Sequence, residues 1–339
     1  MSRTTERSRR RVLGALAVAA LPLGLLAACG DDPESADSGP STSGVAADTG
    51  PWTYTDDLGQ TIELDERPTR IAAYGDEAAA LMNFGVEPVA LWHYTDPDED
   101  STFESLDLSG TEVVGSAYGE IDLEELAATA PDLIVTTTYD GDTPESMYGF
   151  KDEAQLAKIR KIAPVVGIEQ SGTALDVIES NEELAAALGV EVDGGQVAED
   201  RAAFEEASHE LSEAAASGLS VVPIYAEDAN LYYAKAPDDP ALSYYRSLGV
   251  NFTEVEGDGY YWEVVSWENA DTYDPDIVLY SVRTSYTPEQ LLDQPTFARL
   301  AAAKADQLHP WKFKSMDYPS QTEYMRELAG WLSSDESVA

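Results

Sequence analysis

Ala130-Pro131-Asp132-Leu133-Ile134-Val135 has a near copy, Asp274-Pro275-Asp276-Ile277-Val278-Leu279, whose aspartate stands 144 residues further along the chain. Each is a Pro-Asp stop followed by an unbroken apolar run, the pattern of a strand buried on both faces of a parallel sheet. Acidic, helix-starting residues precede both, Glu124-Glu125 in the first case and Glu268 in the second. Phe84-Gly85-Val86 and Leu248-Gly249-Val250 are a further echo, a glycine stopping a helix before a strand. The repetition points to two related α/β halves, and 339 residues suit two lobes better than one.

Outward from the first copy, short apolar runs alternate with helical segments. Arg70–Tyr74, Pro88–Trp92, Thr111–Val114, Asp132–Thr136 and Ala163–Gly167 read as strands, and Asp76–Phe84 and the stretch opening at Asp122 as helices. From about Thr173 the pattern is almost wholly helical. Gln196–Ala216 then runs for about 21 residues, roughly 30 Å, enough to cross a small domain. Beyond Gly218 the alternation resumes at Leu219–Tyr225, Leu231–Ala234, Asn251–Val255 and Ile277–Tyr280, with a helix at Tyr244–Leu248 and a final one over Thr322–Leu332. The fold class expected is α/β, two Rossmann-like lobes joined by one long helix with a cleft between them.

The first 28 residues read as an export signal: a basic start, Ser8-Arg9-Arg10-Arg11, then an apolar run from Val12 to Ala28 broken by Gly14, Pro22 and Gly24. Leu26-Ala27-Ala28-Cys29-Gly30 resembles a bacterial lipobox, which makes Cys29, the single cysteine, the lipidated mature N-terminus. The Ser-Arg-Arg string also looks like a twin-arginine (Tat) export signal. Residues 29–50, rich in Asp, Ser, Gly and Pro, read as a disordered tether. Residues 51–192 then form the first lobe, 193–217 the connecting helix and 218–339 the second lobe.

Composition narrows the function. Hydrophobic residues at 43% and charged residues at 25% exclude wholesale disorder. Asp and Glu number 64 against 20 Lys and Arg, a net charge of −44 that becomes −48 once residues 1–28 are removed. No basic face is available for nucleic acid. One cysteine excludes a disulfide framework and a multi-thiolate zinc site.

The ordered set Asp57-Leu58-Gly59-Gln60-Thr61-Ile62-Glu63-Leu64, Arg67-Pro68-Thr69-Arg70-Ile71-Ala72, Phe84-Gly85-Val86-Glu87-Pro88-Val89-Ala90, Leu123-Glu124-Glu125-Leu126 with Ala130-Pro131-Asp132-Leu133-Ile134, and Ile162-Ala163-Pro164-Val165-Val166 resembles the iron-siderophore class of ABC-importer substrate-binding proteins. That class shares its fold with ferrichrome- and cobalamin-binding proteins. The resemblance covers nearly all of residues 51–332. It implies two lobes joined by one helix, a ligand in the cleft, a membrane permease as partner and attachment to the membrane through the lipid alone, on the extracytoplasmic face. It also implies no cofactor, iron being carried only as a siderophore complex. One connecting helix implies modest lobe closure.

Ligands of parallel α/β sheets sit beyond the carboxyl ends of the strands. In the first lobe that rule selects Tyr74, Trp92 with His93 and Tyr94, Tyr118 and Tyr139. In the second it selects Tyr225, Arg283, Tyr286, Trp311 and Lys312, with Tyr260-Tyr261-Trp262 and Trp267 on a loop. The ligand set expected is Tyr74, Trp92, Tyr118, Tyr139, Tyr225, Trp262, Trp267, Arg283, Trp311 and Lys312. Polar-tipped aromatics suit a large, rigid, partly apolar ligand, and Arg283 would hold an oxygen-rich iron shell. His93 and His309 read as surface or capped histidines and His209 as structural, so no direct metal site is expected.

Anionic catecholate complexes call for clustered cations, which this chain lacks, so a neutral or cationic ferric hydroxamate is the expected ligand. Cobalamin or another metal chelate is the alternative within the class. The alternative outside it is a surface-anchored hydrolase, for which neither a Gly-x-Ser-x-Gly string nor a phosphate loop is present. The resemblance further implies acidic residues read by permease arginines, at Glu77 in the first lobe and Asp238 or Asp239 in the second.

Overall fold

A computed structural model describes residues 50–139, 141–284 and 286–339. The export signal, Cys29 and all of the tether except Gly50 lie outside the described residues. From residue 50 onward the chain belongs to one compact unit, and among the described residues no helix is long and apolar enough to cross a membrane.

A hairpin, β1 (Trp52–Thr55) and β2 (Thr61–Leu64), opens the fold. The first lobe follows as β3 (Ile71–Tyr74), α1 (Gly75–Asn83), β4 (Ala90–Trp92), β5 (Glu112–Gly115), α2 (Leu123–Ala128), β6 (Leu133–Thr138), α3 (Glu153–Ile159), β7 (Val165–Glu169) and α4 (Ala174–Ala187). Its five strands are parallel in the order β5-β4-β3-β6-β7. Helix α5 (Gly195–Ala215) leads to the second lobe: β8 (Ser220–Ala226), β9 (Asn230–Ala234), α6 (Pro240–Ser247), β10 (Asn251–Phe252), β11 (Trp262–Ser266), β12 (Ile277–Ser281), α7 (Pro288–Leu292), α8 (Ala301–Ala305), β13 (Leu308–Trp311) and α9 (Tyr318–Ser334).

The second sheet repeats the parallel core of the first, as β10-β8-β12-β13, and adds β9 and β11 antiparallel beside the far end of β8. Strand β11 lies where a loop was expected. Its pairing of Trp262 with Ala234 is a long-range contact that a half-buried run with one charged residue does not announce.

The repeated Pro-Asp has a physical explanation. Asp132 accepts the backbone N–H groups of Thr69 and Arg70, at 3.0 and 2.9 Å, just before β3. Asp276 does the same for Ser220 at the start of β8, at 2.8 Å. In each lobe the aspartate ties the start of one central strand to the start of its parallel neighbour, satisfying donors that the ladder leaves open.

One hydrophobic core runs through both lobes and the helices between them, including Phe84, Ile178, Phe204, Leu211, Tyr245, Tyr318 and Met325. Phe204 of α5 stacks on Tyr244 and meets Tyr318 edge-on, with ring centroids 5.3 and 5.5 Å apart. Arg201 lies over the Tyr318 ring and is ion-paired to Glu182. His209 is exposed on α5, 3.8 Å from Glu213, so it has no packing role.

Candidate functional site

In both sheets the parallel strands aim their carboxyl ends at the interface between the lobes. The cleft there has a volume of about 260 Å³. Tyr74, Asp76, Tyr94, Tyr139 and Tyr148 line it from the first lobe, and Tyr225, Tyr261, Trp262, Ser281, Arg283, Trp311 and Phe313 from the second. On one wall Tyr148 stands perpendicular to Tyr74 and Tyr139, at 5.5 and 5.1 Å. On the other, Trp262 makes tilted or edge contacts with Tyr261, Tyr225 and Trp311 at 4.6, 6.0 and 6.0 Å. Such rings supply broad contact area at low rotamer cost.

Arg283, in the turn after β12, crosses from the second lobe to the first. Its Nη2 lies 3.0 Å from Asp76 Oδ1 and donates to Thr102 Oγ1 at 2.9 Å, while Nε lies 3.2 Å from Asp100 Oδ2. The guanidinium is sandwiched by Phe313, 3.8 Å from the ring centroid, and Tyr94, at 4.9 Å. Burial alone would lower the arginine's pKa, but Asp76 and Asp100 outweigh it and hold the group above its ordinary value. Burial would likewise raise Asp100, yet hydrogen bonds from His93 and Tyr94 and the charge of Arg283 hold its carboxyl well below the usual range. Of the two readings expected for His93, surface or capped, the surface one fails: the ring is fully buried, with Nε2 3.2 Å from Asp100. It packs so closely on the start of α1 that a Cβ at Gly75 would fall 2.2 Å from its Nδ1.

Beyond Tyr94 and Arg283 lies a wider groove of about 1210 Å³, rimmed by Asp96, Asp98, Glu99, Glu104 and Lys312. Its walls come mainly from one surface loop and lack the facing aromatic walls, so the smaller interlobe cleft is the candidate site.

Six residues selected from the sequence come together in the cleft: Tyr74, Tyr139, Tyr225, Trp262, Arg283 and Trp311. Four do not line it. Trp92 is buried beneath the cleft, stacked on Phe150 with Nε1 donating to Gly149 O at 2.9 Å. Gly149, at φ +84°, presses against both Tyr74 and Trp92 and leaves no room for a Cβ, so the segment it belongs to seals Trp92 off. Tyr118 is half exposed and touches the outer side of Tyr148, at 5.3 Å. Trp267 stacks on Tyr286 and donates to Glu227 O at 3.0 Å. Lys312 faces the wider groove, ion-paired to Glu327 at 3.0 Å and 3.9 Å from Glu104.

Asp76, Tyr148, Ser281 and Phe313 were missed. Asp76 follows Tyr74 by two residues, so the strand-end rule applied one step further finds it. Tyr148 sits ten residues beyond the end of β6, held there by Thr136 Oγ1 donating to its carbonyl at 2.7 Å, and no local pattern marks it.

Of the acids expected to face a permease, Glu77 and Asp239 are buried. Glu77 is 1% exposed; its Oε1 accepts from Thr137 Oγ1 at 3.0 Å and Gln170 Nε2 at 3.1 Å. Burial, with Asp76 nearby, pushes its pKa up to about 8. Asp239 is 3% exposed, caps α6 through Leu242 N at 2.8 Å and accepts from the Tyr261 hydroxyl at 2.5 Å. Asp238, half-buried, accepts from Tyr261 N at 3.0 Å. Both aspartates therefore hold Tyr261 in the cleft wall, and of the three acids only Asp238 keeps partial exposure.

Comparisons with known proteins agree with this architecture. Residues 71–314 match the family described as periplasmic binding protein. Among solved structures, DesE, a ferric-siderophore receptor protein from Streptomyces coelicolor, is 29% identical, with 85% of this chain and 100% of that one covered at a TM-score of 0.77. The siderophore periplasmic binding protein from the fuscachelin gene cluster of Thermobifida fusca is 23% identical over 78% of this chain and 96% of its own, TM-score 0.58. FhuD2 from Staphylococcus aureus, solved with ferrioxamine B bound, is 20% identical over 78% and 98%, TM-score 0.55. No curated protein matches the chain. This is a binding protein and not a hydrolase: the chain belongs to the periplasmic binding protein family.

Proposed function

We propose that this protein captures a ferric siderophore, of the hydroxamate type, and delivers it to an ABC permease without chemistry on the ligand. The observation that carries the reading is a cleft with aromatic walls on both lobes whose one arginine is already matched by Asp76 and Asp100. Such a site offers stacking area and a polarising cation but no surplus positive charge, which fits a ferric trihydroxamate, whose iron core is neutral. The likeness to DesE, described as a ferric-siderophore receptor, supports a ferric siderophore as the ligand. Iron is carried as the chelate, and the protein needs no cofactor of its own.

In this reading the protein acts on the extracytoplasmic side, held by lipid on Cys29 through the 29–50 tether after export, by the twin-arginine route if Ser8-Arg9-Arg10 serves as its signal. Docking requires exposed acids in both lobes. Glu124, in the first turn of α2, and Glu268, in the short turn after β11, are exposed and stand before the two Pro-Asp repeats. They are the proposed contacts for permease cations.

Titration with a panel of ferric chelates, read by quenching of Trp262 and Trp311 fluorescence, tests the ligand. Saturable quenching by ferric hydroxamates but not by cobalamin supports the proposal. Quenching by cobalamin alone overturns it.

A further inference from the structure

Asp76 and Arg283 are the only charged side chains lining the cleft among the described residues. Asp100 lies behind Arg283 with no exposed side-chain surface. Its oxygens are taken by the N–H of Thr102 at 2.8 Å, by His93 and by the Tyr94 hydroxyl, as well as by Arg283. Counting these three groups, the ligand-facing region carries one net negative charge, and Asp76 is the acid in contact with the cavity. Its side chain is 13% exposed, so solvent screens it only partly.

Resting on the siderophore reading above, we infer that Asp76 is the residue that sets the charge class of the bound chelate, favouring a cationic or uncharged ferric complex over an anionic one. The backbone places it there: Asp76 is the second residue of α1, immediately beyond the carboxyl end of β3, where a side chain projects into the interlobe space. With Asp76 charged, Arg283 is spent within the protein. An incoming anion meets a carboxylate with no spare cation to offset it. A pendant ammonium on the chelate gains the same interaction with opposite sign. For charges a few ångströms apart in a partly buried cleft, this discriminates by about tenfold to a hundredfold in affinity. Neutralising Asp76 would also free one Nη2 N–H of Arg283 for an anionic ligand, since Thr102 takes the other Nη2 N–H and Asp100 still holds Nε.

The test uses the exported form of the chain and three ferric complexes: ferrioxamine B, whose free end is an ammonium, an uncharged cyclic trihydroxamate, and a trianionic tris-catecholate. Affinities are measured by fluorescence quenching in low salt and expressed relative to the uncharged complex. The wild type should prefer the cation to the anion. Asp76→Asn should reduce that ratio by tenfold or more, and Asp76→Glu, which keeps the charge, should retain the wild-type order. A ratio unchanged in Asp76→Asn, or lost equally in Asp76→Glu, overturns the inference and leaves the siderophore reading standing. Failure of the wild type to bind any of the three overturns both.

Discussion

Arg283 of the second lobe lies 3.0 Å from Asp76 of the first, so the cleft is spanned by an ion pair before any ligand contributes. The same guanidinium reaches Asp100, whose carboxylate also serves His93 and Tyr94. The arginine therefore works both as a site residue and as one strap among several between the lobes, beside the shared core and the Asn181–Met316 and Asn83–Ser320 hydrogen bonds.

Arg283→Ala should weaken folding as well as binding. It leaves the Asp100 carboxylate buried without its cation, and breaking such a pair costs about 3–5 kcal/mol. Urea unfolding measures the first effect and chelate titration the second. An unchanged unfolding midpoint would mean that His93 and Tyr94 satisfy Asp100 by themselves.

Glu77 gives stability a pH dependence. Its folded pKa is raised to about 8 from an ordinary 4.5, so the folded state holds the proton more tightly than the unfolded one. The contribution is complete below about pH 4.5, falls as pH rises through the window to about 8, and is gone above it. For a single proton the slope is at most about 1.4 kcal/mol per pH unit. Glu77→Gln, which keeps a neutral hydrogen-bonding group, should flatten the dependence across that window. A slope identical to wild type would show that Glu77 is not its source.

Trp92 and Trp262 should separate cleanly. Trp92→Ala removes a side chain buried against Phe150 and should cost about 3–5 kcal/mol of stability. Trp262→Phe should leave the fold intact while removing much of the ligand-induced quenching. If Trp92→Phe abolished quenching and Trp262→Phe did not, the assignment of cleft and core would be reversed.

Delivery depends on surface acids. Glu124→Ala combined with Glu268→Ala should preserve chelate affinity in solution and lower iron uptake by cells severalfold. Normal uptake by the double variant would remove these two positions as the docking contacts.

The sequence by itself determined the α/β alternation, the duplicated Pro-Asp strands and the 21-residue helix between lobes, because apolar runs, helix stops and caps are local signals. Once the strands were placed, the strand-end rule carried Tyr74, Tyr139, Tyr225, Arg283 and Trp311 to the cleft. Only the tertiary structure decided which strand-end aromatics reach the cleft. Tyr74 and Trp92 are register partners on adjacent strands and both are buried, yet only Tyr74 lines the cleft, because the segment carrying Gly149 and Phe150, more than fifty residues away, covers Trp92. Glu77 was misplaced for the same reason. A carboxylate in a helix's first turn looks solvent-facing until Thr137 and Gln170, 60 and 93 residues distant, close over it. Burial of a polar group depends on which remote segments supply its hydrogen-bond partners, and no local periodicity encodes that.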